Sequence, residues 1–441
     1  MLTDISLSAI ITNVHKSYFI KTYGCQMNVN DSEVIAGLLE RAGYGEANSP
    51  ETADIILINT CCVRQKAEDK AFGYALGLLS NKMRNPKRIF AFIGCIAEKD
   101  RHDIFRKLPF FDLVVGPGQE ARIVQLIEEA KSGSEKIIST GEFCGEYPER
   151  SAKRKPAVRA FVTIMIGCDN FCSYCIVPYV RGREVSRPKE EILDEVRGLD
   201  KKIFKEIVLL GQNVNSYKYG LADILCEVHR IDGIERIRFL TSHPRDMTDD
   251  IIDVVGALPK VCEYFHLPLQ SGDDDILKMM NRGYTSDHYR KLIDKIRKKI
   301  PDASITSDVI AGFPGETDRQ FRNTLKLIKE LELDLVNTLA FSARPGTAAA
   351  KMKGQTAEKI KKERLQELMR VVEETAGNRN KKLKGTIQEV LVEQIADGKC
   401  FARTRGNKVV RFSGEKSLIG KLVSVRITDP GPFVLEGELV N

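Results

Sequence analysis

The chain has 441 residues, 42% hydrophobic and 29% charged, with no tryptophan; that is too long for one ordinary domain and has the composition of a soluble globular protein, so two or three domains are expected. No apolar run approaches the ~18 residues needed to cross a bilayer, and the opening MLTDISLSAIITNV carries an acid where a secretory leader carries basic residues, which argues for a cytoplasmic protein with no membrane partner. A net charge of +7 and a pI near 8.7 are compatible with a polyanionic partner, and eleven cysteines in a reducing compartment point to metal or catalysis rather than disulfides.

From about 17 to 130 short apolar runs alternate with helical patterns. YFIKTYGC, ADIILINTCC, RIFAFIGC and FDLVVGPG read as buried strands, with DSEVIAGLLERAG and ARIVQLIEEAKSG as helices. This alternation predicts an open parallel α/β sheet. Three of the strands end in cysteine: Cys25, Cys61 and Cys95. Carboxyl ends of parallel strands share one edge, where ligands bind, so the three converge on one site or are separate core thiols. Gly116 to Gly118 reads as a strand-to-helix turn, since the fuller phosphate-loop pattern is missing.

A polar, basic stretch over 131–157 reads as a linker. A second αβ series follows, with VRAFVTIMIGC, EIVLLGQ, RIRFLTSHP, EYFHLPLQS, SITSDVIAGFP and LVNTLAFSARPG as strands. Six such units suit a partial (β/α)6 TIM-type barrel, whose active site lies just beyond the strand ends. The helix from Lys359 to about Lys384 has mixed charge and reads as a solvated bridge. From about 386 short strands and turns predict a small antiparallel β-barrel. It carries Arg403, Arg405, Lys408 and Arg411, a face for nucleic acid or simply a solvated charged surface. The expected domains are 17–132, 154–377 and 378–441.

The loop GCDNFCSYCIVPYVRGR places Cys168, Cys172 and Cys175 in the spacing C-x3-C-x2-C. No histidine or fourth cysteine follows at ligand distance, which makes the loop a poor zinc site. Iron–sulfur clusters normally take four thiolates. Three therefore suggest a [4Fe-4S] cluster with one iron open to the amino and carboxylate groups of S-adenosylmethionine (SAM). Reductive cleavage of that sulfonium gives the radical needed to functionalise an unactivated C–H bond. Tyr174 sits beside the last ligand. Gln212 and Asn213 follow the second barrel strand, and Ser242 and His243 the third. These are candidate SAM contacts, although such loop residues also cap helices.

Loop and barrel resemble radical SAM enzymes. KTYGCQMNVNDSE, INTCCVRQKA, FIGCIAE, HLPLQSGDDDIL, DVIAGFPGET and ARPGTAAA narrow the resemblance to the methylthiotransferase family, from about residue 17 to the C-terminus. The resemblance implies that Cys25, Cys61 and Cys95 hold an auxiliary [4Fe-4S] cluster, making two in all, and that the terminal barrel is a TRAM domain with an OB-like fold. It further implies methylthiolation of C2 of N6-(dimethylallyl)adenosine at position 37 in a tRNA anticodon loop. One SAM would serve as radical source and another as methyl donor, with an electron donor such as a flavodoxin-type reductant and a sulfur source. TYGCQMN favours this branch over those acting on threonylcarbamoyl-adenosine in tRNA or an aspartate of a ribosomal protein.

NTCC offers two adjacent thiols where the family pattern needs one. Strand alternation would turn them to opposite faces, so Cys61 is taken as the ligand and Cys62 as a core or bystander thiol. Cys144, Cys226, Cys262 and Cys400 read as small buried or linker thiols. Arg181, Arg183 and Arg187 face SAM, tRNA phosphate or solvent. A noncatalytic RNA-binding metal or redox sensor is the reading from another class; such a protein would hold iron without consuming SAM.

Overall fold

The computed structural model describes residues 16–63, 65–133, 135–141 and 152–440; Cys144 and the opening segment lie outside them. The described residues fall into two compact units, one ending at Gly141 and taking in 152–153, the other running on from Arg154.

In the first unit, β1 (Ser17–Tyr23), β2 (Gly45–Glu46), β3 (Ile55–Thr60), β4 (Ile89–Gly94), β5 (Leu113–Val115) and β6 (Ile137–Ser139) form one sheet in the order β2-β1-β3-β4-β5-β6. Every pairing is parallel. Every residue of β3 (IILINT) and β4 (IFAFIG) is buried. That is why both read as near-continuous apolar runs: central parallel strands are covered on both faces. Helices Gln26–Arg41 and Ile123–Ser132 set Ile35, Leu39, Leu126 and Ile127 against Ile55, Leu57 and Leu113. The sequence reading did not anticipate β2 and β6, which are too short to show a period.

The second unit contains β7 (Arg159–Thr163), β8 (Met165–Ile166), β9 (Val185–Ser186), β10 (Glu206–Leu210), β11 (Arg236–Phe239), β12 (Tyr264–His266), β13 (Ser304–Ala311) and β14 (Leu335–Ala340). All six expected barrel strands are present, as two parallel three-stranded sheets, β7-β10-β11 and β12-β13-β14. A lone parallel bridge between Ile237 and Val261 links them, giving an open arc. The short antiparallel pair β8–β9 brackets the three-cysteine loop. Helix Glu358–Lys381 departs from expectation. It is no solvated bridge, because Leu368, Val371 and Val372 join the core that contains Leu325, Ile328 and Val336. Its dense mixed charge masked that apolar stripe.

Strands β15 (Ile387–Ala396), β16 (Lys399–Thr404), β17 (Val409–Ser413), β18 (Leu422–Pro430) and β19 (Val434–Leu439) close into a barrel in the order β15-β16-β17-β19-β18. Its pairs are antiparallel except β17–β19, which is parallel. Five strands cannot close with every neighbour antiparallel, so one parallel pair is forced.

This barrel is mounted on the amino ends of the arc strands. Arg236 and Arg238 are almost fully buried, and alternation along β11 aims both the same way. Arg236 donates to the carbonyls of Arg403 (2.8 Å) and Glu389 (3.0 Å). Arg238 donates to that of Arg405 (2.8 Å) and pairs with buried Glu206 at 3.3 Å. Arg405 returns two bonds to Glu263 and others to the carbonyls of Pro259 and Val261. The cations of the basic face inferred from sequence each have an acidic partner: Arg403 pairs with Glu393, Arg405 with Glu263, Lys408 with Asp334, and Arg411 with Glu436, so Arg405 and Lys408 also help to mount the barrel on the arc.

No helix among the described residues is long and apolar enough to cross a membrane. Burial opposes ionisation of Glu206, but the cation of Arg238 prevails and holds its carboxyl below the usual range. Arg238→Met strands that charge. Urea unfolding should show a loss of about 3–5 kcal/mol, much of it recovered in the Arg238→Met/Glu206→Leu double variant.

Candidate metal centres and cofactor pocket

In the first unit the thiols meet because the strands are in register. Tyr23 pairs with Thr60 and Thr60 with Gly94, so Cys25, Cys61 and Cys95 emerge at one level of the carboxyl edge. Gly94 makes the last approach possible. Its φ is +92°, and a Cβ there would lie 2.5 Å from both Asn59 Oδ1 and the Thr60 carbonyl, which only glycine avoids. Two buried asparagines hold the edge together. Asn28 donates to Asn59 Oδ1 (3.2 Å) and to the Thr60 carbonyl (3.1 Å), while Asn59 donates to the Asn28 carbonyl (2.9 Å). Asn28 Oδ1 accepts from the Cys25 backbone N–H (3.2 Å) and thiol (3.3 Å).

Cys61 hydrogen-bonds with Cys25; that bond, burial and the nearby Cys95 sulfur push its thiol far up. Of the two readings of Cys62, a core or a bystander thiol, the structure gives the core. It is fully buried and hydrogen-bonds with Cys95. Strand β3 ends at Thr60, so the alternation expected to separate the adjacent thiols no longer operates.

In the second unit Gly167 (φ +78°) turns the chain where a Cβ would sit 1.9 Å from the Arg183 carbonyl, and the loop of Cys168, Cys172 and Cys175 follows. The segment 279–282 pins it. Ser173 bonds the carbonyls of Met280 (3.0 Å) and Met279 (2.8 Å). Asn281 donates to those of Asn170 (3.3 Å) and Phe171 (3.1 Å). Arg282 Nη1 reaches Cys172 Sγ at 3.2 Å and Tyr174 Oη at 3.5 Å. Burial, then the Cys172 sulfur, pushes the Cys175 thiol up to about 12, and burial raises that of Cys168.

These donor sets fit iron–sulfur groups. Cys61, Cys95 and Cys172 are buried, Cys168 and Cys175 partly so, and Cys25 lies at the surface; thiols packed against one another with so little water ionise far more readily when a multiply charged cation compensates them. Among the described residues no three histidine, cysteine or acidic side chains are arranged to grip a single metal ion. A four-iron cluster instead takes one thiolate per iron.

The carboxyl edge of the arc also carries polar atoms that are buried without a partner: Gln212 Oε1, Ser242 Oγ, His243 Nε2 and Gln270 Oε1. Buried polar groups are normally paired, so four orphans along one edge make it the candidate place for a polar ligand. Gln270 and Thr241 have φ of +69° and +68°, a conformation rare outside glycine and concentrated at functional sites. His243 Nδ1 accepts from the Arg245 N–H at 3.3 Å, so the neutral ring carries its proton on Nε2 and the orphan is a donor. Burial, then Arg282, lowers its pKa from 6.5 to about 3.

The remaining sequence candidates fall as follows. Asn213 is committed at both ends, donating to Asp246 (2.9 Å) and accepting from the His243 N–H (3.1 Å); it shapes the loop that presents His243. Tyr174 packs beside Ile310, Phe313 and Phe341 and braces the cysteine loop. Arg187 is buried on Glu191 and Glu195, and Arg183 pairs with Asp169 over the Phe171 ring. Cys262 and Cys400 are buried, Cys226 partly so. Sequence reasoning missed the bracing by Asn28 and Asn59, the orphan Gln270, and Arg282. For Asn59 a signal was present, a polar side chain inside an otherwise apolar strand.

An open six-strand arc with a three-thiol loop beyond its first strand and orphaned polar atoms along the same edge defines a radical SAM enzyme. Family models agree: residues 162–328 match the Radical SAM superfamily, 17–116 the uncharacterized protein family UPF0004, and 381–440 the TRAM domain. The fold is similar to that of a radical S-adenosylmethionine methyltransferase, TsrM, from Kitasatospora setae, solved with cobalamin and a [4Fe-4S] cluster (TM-score 0.59, 13% identity, 87% of this chain and 81% of that one). It is also similar to that of the cobalamin-dependent radical enzyme OxsB (TM-score 0.52, 12% identity, 82% and 56%). In sequence, the chain is 45% identical to a tRNA-2-methylthio-N(6)-dimethylallyladenosine synthase of Carboxydothermus hydrogenoformans, over 96% of this chain and 99% of that protein. It is 47% identical to one of Pelotomaculum thermopropionicum, over 94% and 95%. The chain belongs to the radical SAM methylthiotransferase family, in the branch of the tRNA-2-methylthio-N(6)-dimethylallyladenosine synthases.

Two outcomes test the sites. Asn28→Ala leaves buried partners unsatisfied and should cost about 1–3 kcal/mol, with less iron retained at the Cys25–Cys61–Cys95 site in a chain lacking the loop cysteines. His243→Phe should weaken SAM binding, measured calorimetrically, by about 3- to 10-fold. In the unsubstituted protein the neutral ring stabilises the fold fully above its unfolded value near 6.5, and that contribution falls as pH drops toward about 3.

Proposed function

We propose that this chain methylthiolates C2 of N6-(dimethylallyl)adenosine at position 37 of tRNA, in the cytoplasm, using two [4Fe-4S] clusters and two molecules of SAM, one as radical source and one as methyl donor. The observation that carries the reading is the pair of three-thiol sites, each at the carboxyl ends of parallel strands, in a chain so similar over nearly its whole length to synthases of that name. When bound, the loop cluster and SAM supply the one-electron cleavage chemistry that activates an inert C–H bond.

The chain's own residues do the rest. Cys168, Cys172 and Cys175 would hold the loop cluster, and Cys25, Cys61 and Cys95 the auxiliary one, which would supply the sulfur chemistry. His243 Nε2 would offer a hydrogen bond to SAM, with Ser242, Gln212 and Gln270 beside it, while Asn213 sets the loop from which His243 projects. Tyr174 keeps the cysteine loop against its apolar bed. A base in the anticodon loop is unpaired, so it reaches such an edge without opening a duplex. Electrons come from a flavodoxin-type reductant, and the sulfur of the auxiliary site is renewed by a separate donor.

Mass spectrometry of tRNA nucleosides from a strain lacking the gene tests the substrate. The methylthio nucleoside should vanish and its isopentenyl precursor accumulate; its persistence would move the substrate to threonylcarbamoyl-adenosine or a ribosomal aspartate. With purified protein, Cys168→Ala should abolish deoxyadenosine formation. Cys61→Ala should keep that step while losing sulfur insertion.

A further inference from the structure

Arg282 is a buried cation with an unusual set of partners. It is 4% exposed, and among the described residues no carboxylate pairs with it. Its guanidinium donates to the Pro268 carbonyl (2.8 Å) and the Tyr284 hydroxyl (3.2 Å), reaches the Tyr174 hydroxyl at 3.5 Å, and meets Cys172 Sγ at 3.2 Å. The Tyr284 ring lies 5.3 Å from the guanidinium carbon, and the Tyr284 hydroxyl donates to the carbonyls of Pro268 and Leu269. A guanidinium cannot shed its proton to escape burial, and an uncompensated buried charge is strongly unfavourable. Other buried arginines in this unit do have acids: Arg238 has Glu206, and Arg364 has Glu316. For Arg282, the one partner that is not a neutral oxygen is the sulfur of Cys172, at 3.2 Å, a ligand of the proposed cluster.

We infer that Arg282 is the built-in counter-ion of the loop iron–sulfur cluster, a positioning residue that makes this cluster easier to reduce. The inference rests on the proposed cluster at Cys168, Cys172 and Cys175. Such a core with three thiolates carries one net negative charge when oxidised and two when reduced; one electron enters, and no bond forms or breaks. A fixed cation hydrogen-bonded to a ligand sulfur stabilises the second state more than the first. Net charge and hydrogen bonds to sulfur are the levers that set such potentials. The remaining bonds of Arg282, to a carbonyl and two phenols, fix the fork in place without neutralising it.

The test is potentiometric titration of the full-length chain, followed by electron paramagnetic resonance without SAM, with dithionite as reductant and the Cys25, Cys61 and Cys95 thiols replaced by alanine so that the loop cluster alone is seen. Arg282→Gln should retain iron, and its midpoint should move to more negative potential. At a fixed solution potential the ratio of reduced to oxidised cluster should fall at least about tenfold. Arg282→Lys, which restores the charge without the fork, should recover most of the shift. Equal iron and an unchanged midpoint in Arg282→Gln overturn the inference. If the glutamine variant takes up no iron, the lysine variant decides. Iron and midpoint close to those of Arg282 support the charge, whereas loss with lysine too means that the hydrogen bonds merely hold the loop. Absence of iron from the chain that retains Arg282 and all three loop cysteines would instead remove the cluster assignment, and the inference with it.

Discussion

Parallel pairing in register is the constraint on which the chemistry depends. Each site needs side chains that are far apart in sequence and level in space. Neighbouring parallel strands meet that need because their carboxyl ends reach a common edge whatever lies in the crossovers. In the first unit the level is set residue for residue by the Tyr23–Thr60 and Thr60–Gly94 pairings. In the second, polar residues following β10, β11 and β12 share one edge. A one-residue slip of β4 would exchange Cys95 for a neighbour. The asparagine pair and the glycine that precedes Cys95 are placed where they oppose such a slip.

Buried charge is managed in two ways in the second unit. At the amino edge of the arc, Arg236 and Arg238 are buried against carbonyls and carboxylates, and the result is mechanical, since the barrel is held on. At the carboxyl edge, Arg282 is buried against sulfur and neutral acceptors. An arginine thus acts as a fastener or as an electrostatic element according to which anion faces it.

Much of this was legible in the chain. The main strands of the first sheet and most barrel strands announced themselves as apolar runs, because buried parallel strands leave little room for other residues; β11, with its two buried arginines, did so only by alternation. All six proposed ligands are cysteines at strand ends or in a three-thiol loop, where spacing carries the signal. What sequence could not supply was pairing. Nothing in TRGNK distinguishes an arginine bonded to Glu263 from one facing solvent, so the acidic partners of Arg403, Arg405, Lys408 and Arg411 could not be read from the chain. Nor does NRGY announce contact with a cysteine more than a hundred residues earlier. The bond between Cys62 and Cys95 was hidden for a local reason, because strand geometry had been extended past the strand's end. The helix 358–381 was misjudged because charged neighbours diluted a narrow apolar stripe.

The mounting of the terminal barrel sets a length scale for any polymer that uses both of its ends. The barrel meets the arc at Arg236, Pro259, Glu263 and Asp334, beside the starts of β11, β12 and β14. The cysteine loop follows the far end of β7. A strand of five or six residues is roughly 17–20 Å tall. A nucleic acid gripped by the barrel while one of its bases reacts at the cysteine edge must bridge at least that height. Grip and chemistry therefore fall on different parts of the polymer, and a free nucleoside, however well it fits the reacting edge, is too short to engage both.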